Sequence, residues 1–167
     1  MNMITISEAT IEDIKTIQEI TYITWPVTYG NILSGEQLDY MLDLIYSDEA
    51  LNNQFEKKEQ LFYLISEDKT TLGFIGIEHH YKNESVTRIH KIYLLPETQG
   101  KGIGKKVIEE IEKLALENHS KALSLNVNRF NSALTFYEKI GLKIIDEINV
   151  DIGNGYFMED YVMEKKL

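Results

Sequence analysis

Apolar residues recur along this chain in two periods, and the switches between them mark its elements. Met3 to Ser7 alternates apolar and polar positions as a half-buried strand does. Ile11, Ile14, Ile17, Gln18 and Ile20 then recur at helical spacing, with Thr10 as N-cap and Asp13 at the third helical position. Pro26 and Gly30 interrupt that pattern. Ser34-Gly35-Glu36-Gln37 opens a second helix carrying Leu38, Met41, Leu42 and Ile45, and a further helical stretch runs from Asp48 to Lys57. Leu61 to Ser66 and Leu72 to Tyr81 read as a hairpin around Glu67-Asp68-Lys69-Thr70, followed by a strand from Val86 to Leu95. An amphipathic helix from Lys105 to Asn118, a strand from Ala122 to Val127 and a helix through Phe136 and Tyr137 come next. A last hairpin pairs Lys143 to Val150 with Tyr156 to Glu164 about Gly153-Asn154-Gly155. With the stretch from Asp48 to Lys57 counted in one block with the helix before it, the order β-α-α-β-β-β-α-β-α-β-β puts the chain in the α/β class.

One junction carries candidate chemistry. Between a strand and a helix stands Gln99-Gly100-Lys101-Gly102-Ile103-Gly104-Lys105-Lys106. The first four N–H groups of a helix lack intrahelical partners, and the macrodipole adds about half a positive charge there, so phosphate oxygens bind well. Glycines allow positive φ and close backbone approach, and the lysines add mobile charge. The turn suits a diphosphate; a glycine turn without a ligand is the alternative. A Walker A loop fails, because Gln99 stands five before Gly104 and Lys106 replaces the hydroxyl residue. A dinucleotide fingerprint counted from Gly100 fails at Lys105.

What remains, Gln-x-x-Gly-x-Gly after Ile-Tyr-Leu-Leu-Pro-Glu, resembles the coenzyme-A pyrophosphate loop of the GNAT superfamily of N-acetyltransferases. Downstream, Asn128-Arg129-Phe130-Asn131-Ser132-Ala133-Leu134-Thr135-Phe136-Tyr137-Glu138-Lys139-Ile140-Gly141-Leu142 resembles the second signature of that family, in the family's order. The resemblance implies a mixed central sheet flanked by helices and acetyl-CoA as co-substrate, without a metal. It implies that Ile92, Tyr93 and Leu94 grip the pantetheine arm and that Gln99, Gly100, Lys101, Gly102, Ile103, Gly104 and Lys105 hold the pyrophosphate. Tyr137 matches the tyrosine that protonates the departing thiolate, against the alternative of a core aromatic. Lys139 reaches a coenzyme phosphate or is simply solvated. The family asparagine position, seven before the tyrosine, holds Phe130 here. Asn131, preferred, and Asn128 are the nearest substitutes, as pantetheine contact or as helix cap.

The positions where some members carry a glutamate base hold Asn126 and Arg88. Strand alternation puts Arg88, His90 and Ile92 on one face, aiming His90 at the acceptor, and a histidine pKa near 6.5 suits a proton acceptor. Glu78, His79 and His80 on the preceding strand compete for the role. Acceptor contacts are expected from Glu78, Trp25 and Tyr29, whose aromatics either stack on an acceptor or pack the helices. Thr-Trp-x-x-Thr-Tyr followed by Glu-Gln-Leu-x-Tyr-Met-Leu looks like bacterial members similar to polyamine acetyltransferases.

Composition narrows the picture. At 167 residues and 43% hydrophobic, residues 1–167 form one N-acetyltransferase domain. There is no cysteine, which excludes disulfides, thiolate metal sites and a cysteine nucleophile. No basic leader or long apolar run appears, so a cytoplasmic protein with no membrane contact is expected. A net charge of −10 disfavours nucleic acid and suits a cationic small molecule, though it equally serves solubility. The expected activity is direct acetyl transfer to a primary amine, a polyamine or another small cationic amine. A protein N-terminal or lysine acetyltransferase and a coenzyme-A sensor without catalysis are the alternatives, and a homodimer stays open.

Overall fold

The computed structural model describes residues 3–167. Its elements are β1 (Ile4–Glu8), α1 (Ile14–Tyr29), α2 (Gly35–Tyr46), α3 (Asp48–Lys57), β2 (Leu61–Glu67), β3 (Thr70–Glu78), β4 (Val86–Leu94), α4 (Ile103–Glu117), β5 (Ala122–Asn128), α5 (Ala133–Lys139), β6 (Lys143–Gly153) and β7 (Tyr156–Lys166). The strands form one seven-stranded sheet in the order β1-β2-β3-β4-β5-β7-β6. Only β4 and β5 run parallel, so the sheet is mixed, as expected.

The caps explain where the helices begin. The Asp13 carboxylate accepts the Thr10 N–H at 2.8 Å, so Thr10 opens a short 3₁₀ turn that feeds α1. The Ser34 hydroxyl accepts from Gln37 N–H at 3.1 Å, and Ser47 from Ala50 N–H at 3.2 Å. Each helix then buries one stripe. α4 turns Val107, Ile108, Ile111 and Ala115 against the sheet face that also receives α5. The opposite face packs Phe62 and Phe74 against Ile17, Trp25 and Tyr29 of α1, Met41 and Tyr46 of α2, and Leu51 of α3. Phe74 is fully buried there, and Phe74→Ala is expected to cost about 3–5 kcal/mol.

Three sequence expectations are corrected. α1 does not stop at Pro26 but continues to Tyr29, with Gly30 N–H returning to the Pro26 carbonyl at 2.9 Å. A proline in the last turn removes one donor, and the burial of Trp25 and Tyr29 outweighs that loss. β3 ends at Glu78, three residues early, because His80 and Lys82 both adopt φ of 54° and turn the chain. His79 and His80 are therefore not strand residues. α4 starts two residues early, at Ile103, on the left-handed Gly102. No helix among the described residues is long and apolar enough to cross a membrane.

Candidate active site

The two parallel strands pair only from Val86 opposite Ala122 to Ile89 opposite Leu125. Beyond that point β4 keeps its partner β3 and β5 keeps β7, so His90 to Leu94 present a free edge toward Asn126–Asn128. Such an edge can add an extended ligand as if it were a strand. A bulge sits at the parting. Gly76 opposes Lys91 and Ile77 opposes Ile89, which leaves His90 without a partner on β3. One extra residue reverses the alternation. Arg88, Lys91 and Tyr93 face the α1–α3 side, while Ile92 and Leu94 join Ile89 on the α4 side. Ile92 therefore does not share a face with Arg88, contrary to simple alternation.

After β4, Pro96 opens a 3₁₀ turn and the glycine run follows. Gly100 and Gly102 take φ of +76° and +70°, and a Cβ on either would stand in open space, so backbone conformation requires them. Gly104 is small for another reason: a Cβ there would lie 3.1 Å from the Phe136 ring. The first backbone bond returning to this turn is Lys106 N–H to the Gly102 carbonyl at 3.3 Å. Among the described residues, the N–H groups from Gly100 to Lys105 find no backbone acceptor. Gln99, Lys101 and Lys105 are exposed beside them, an arrangement built for an anion. Tyr137 of α5 is 8% exposed, and burial pushes its phenol up, so it holds its proton at neutral pH. Asn131 uses its side-chain oxygen on Ala133 N–H, the first residue of α5, at 2.9 Å. Asn128 uses its own on Phe130 N–H at 3.0 Å, and Lys139 is exposed at the end of α5.

A cavity of about 450 Å³ opens where β4 and β5 part, on the α1–α3 side of the sheet. Trp25, Tyr29, Tyr46 and Tyr93 form its aromatic wall. Trp25 lies 4.6 Å from Tyr29 and 5.8 Å from Tyr93 between ring centroids, and the Tyr29 and Tyr93 hydroxyls share a hydrogen bond at 3.3 Å. Its polar residues include Arg88, His90 and Lys91 from β4, Asn126 from β5 and Asp160 from β7. Arg88 donates to Ser124 at 2.6 Å and to the Asn126 side-chain oxygen. Asp160 is 8% exposed and its Oδ1 has no hydrogen-bond partner. Burial raises its pKa, and the Arg88 and Arg129 guanidinium groups pull it back down. His90 Nε2 lies 2.9 Å from Glu78 Oε1, with 26% of its side chain exposed at the cavity rim. Burial lowers the His90 pKa, opposed by Glu78.

Of the residues expected for the acceptor side, Trp25, Tyr29 and His90 meet in this cavity, and Glu78 joins them only through His90. His79 stands apart, hydrogen-bonded to Thr87 at 2.8 Å in a chain that continues to Ser120. Lys91, Tyr46 and Asp160 were not singled out from sequence. The signal for Lys91 was a lysine between His90 and Ile92 on a central strand, whereas Asp160 looked like any polar position of a hairpin. It enters the cavity because β7, not β6, lies beside β5 and sets Asp160 opposite Asn128.

Comparison with known proteins agrees with this fold. An acetyltransferase (GNAT) domain model matches residues 31–160. The chain is 32% identical over 168 residues to a spermidine N(1)-acetyltransferase of Thermoplasma acidophilum, spanning 98% of this chain and 97% of the relative. The crystal structure of a PaiA N-acetyltransferase from the same organism, in complex with coenzyme A, superposes with a TM-score of 0.80 at 30% identity over 99% of both chains. A GCN5-related N-acetyltransferase of Rhodopseudomonas palustris superposes with a TM-score of 0.81 at 20% identity over 98% of this chain and 95% of that one, a likeness of fold. With the fold, the family model and the full-length relative in agreement, the chain belongs to the GNAT family of N-acetyltransferases, enzymes that draw their acetyl group from acetyl-CoA.

Proposed function

We propose that the protein acetylates a primary amine of a small cationic acceptor, a polyamine, by direct attack on acetyl-CoA. The observation that carries this reading is a cavity at the parting of β4 and β5 in which a buried carboxylate, Asp160, keeps one oxygen unpartnered. A buried acceptor without a donor is costly, and an incoming ammonium supplies the donor. Aromatic walls suit an aliphatic cation, and the net charge of −10 draws cations to the protein. The spermidine acetyltransferase among its relatives favours the same class.

Each group then has a role. Ile92, Tyr93 and Leu94 offer their free edge to the pantetheine arm, and the turn from Gln99 to Lys105 takes the pyrophosphate, with Asn131 and Lys139 at the margin of the donor. Trp25 and Tyr29 wall the acceptor in. An ammonium has no lone pair, so it must lose a proton before it attacks the thioester carbon. His90, oriented by Glu78, is the base at the rim and releases that proton to water. Tyr137 protonates the departing sulfur. No covalent acyl-enzyme is needed, because the free edge and the cavity meet at one place and hold both substrates together.

An acceptor panel tests the reading. Purified protein with acetyl-CoA should acetylate spermidine faster than a neutral-tailed amine of similar length, with an advantage that shrinks as salt rises. Acetylation of peptides in preference to every small amine would replace it with the protein-modifying alternative.

A further inference from the structure

Lys91 is the most unusual side chain in the cavity, and nothing in the acetyl-transfer reading uses it. It is 7% exposed and lies across the bulge from Gly76. Its Nζ donates to Gln54 Oε1 at 2.9 Å and to Gln60 Oε1 at 3.0 Å, and stands 5.2 Å from the centre of the Phe62 ring. Gly76 makes that arrangement fit: a Cβ there would lie 2.5 Å from Gln60 Oε1. Burial is the one influence acting on its ionisation, and no carboxylate offsets it. The charged and titratable groups around the cavity are Arg88, His90 and Tyr93 on its own strand, Tyr29 of α1, Tyr46 of α2 and Asp160 of β7. From α3 and the loop that leads into β2 the polar neighbours of Nζ are the neutral amides of Gln54 and Gln60 alone.

The donor count fits a neutral amine. A lysine ammonium has three N–H groups and no lone pair; the neutral amine has two N–H groups and one lone pair. Two glutamine oxygens take two donors and leave one tetrahedral position over. We propose that Lys91 is a proton acceptor for the acceptor amine, taking the ammonium proton inside the cavity before His90 passes it to solvent at the rim. The inference rests on the acetyl-transfer reading and adds a catalytic group to it.

The step balances. The acceptor ammonium gives one proton to Lys91 Nζ, and its freed lone pair forms the nitrogen–carbon bond at the acetyl group. The carbon–sulfur pair leaves with sulfur, and the second proton lost by the nitrogen reaches that sulfur through Tyr137. The proton on Lys91 exits past His90, so acetyl-CoA is the only co-reactant. Burial sets the Lys91 pKa at about 7, where both of its forms are populated at neutral pH, the condition for efficient proton transfer.

Wild type, Lys91→Met, Lys91→Arg and His90→Gln should be followed through a single turnover with acetyl-CoA and spermidine, from about pH 5 to about pH 10. Wild-type transfer is expected to rise through a midpoint at about 7 and level off. Both Lys91 variants should lose that limb and fall roughly 100-fold, since neither can accept a proton there, while His90→Gln should lower the plateau and keep the midpoint. An unmoved midpoint in both Lys91 variants, or its loss in His90→Gln alone, would overturn the proposal. A second measurement needs no turnover. Trace labelling of the free wild-type protein with acetic anhydride should titrate Lys91 near 7, and a midpoint near the ordinary lysine value of about 10.4 would overturn the proposal whatever the variants do. Absence of acetyl transfer in all four proteins, rather than in the Lys91 pair alone, would instead sink the acceptor reading and the proposal with it.

Discussion

The proposed donor cleft and the proposed acceptor cavity share β4, yet they are made of different material. The proposed donor grip is backbone: N–H groups from Gly100 to Lys105 without backbone acceptors and the free edge from His90 to Leu94, all within one stretch of chain. The proposed acceptor cavity is side chains from α1, α2, α3, β4, β5, β6 and β7, brought together by topology alone. A site of contiguous backbone tolerates change everywhere except at the residues that set its φ angles. A site of dispersed side chains is free to change its specificity while the fold stays fixed.

The sharpest way to break this contrast is in the donor grip. Gly102→Val forces a β-branched residue to φ of +70°, with no neighbour to clash, and should weaken coenzyme binding by roughly 100-fold or more in calorimetry. Unchanged affinity would mean that the turn does not hold the donor. Tyr137→Phe removes one hydroxyl and leaves the packing against Phe136 in place, so turnover should fall by about 10²–10⁴ with coenzyme affinity unaltered. Equal turnover, with chemistry rate-limiting, would return Tyr137 to a packing role.

The same contrast explains what the sequence reveals. The helix caps at Thr10 and Ser34 and the positive-φ glycines of the turn are local signals, where a residue and its partner lie within four positions, and the structure agrees with them. The bulge at His90 is not local. It arises because β3 and β4 change register between Gly76 and Ile77, and a one-residue slip reverses every side chain beyond it. Strand alternation alone therefore put Ile92 on the wrong side. Asp160 was illegible for a related reason: only insertion of β7 between β5 and β6 brings it to the cavity. The early end of β3 reflects left-handed His80 and Lys82, of which only the histidine belongs to a residue type enriched in that conformation.

Smaller effects sharpen the comparison further. Thermal or denaturant unfolding should separate Lys91→Met from wild type by pH rather than by a constant. The Lys91 pKa is lowered, so the unfolded chain binds the extra proton between about 7 and about 10.4, and wild-type stability rises with pH across that window by up to about 1.4 kcal/mol per unit. Lys91→Met should lack this component; parallel pH curves would show that the lysine is ordinary. Gly104→Ala asks for a shift of a few tenths of an ångström at Phe136 and leaves the backbone donors alone, so coenzyme affinity should stay within about twofold. A loss as large as that of Gly102→Val would give both glycines the same task.

The claim that the cavity selects a cationic amine through Asp160 has the most direct test. Initial rates with saturating acetyl-CoA should be compared for spermidine and a neutral-tailed amine of similar length, in wild type and in Asp160→Asn, at low salt. The account predicts a clear spermidine preference in kcat/KM for wild type and its loss by roughly 10-fold or more in Asp160→Asn, with the neutral-tailed amine little changed. An Asp160→Asn enzyme that keeps the full preference, or a wild type that favours the neutral-tailed amine, would contradict it.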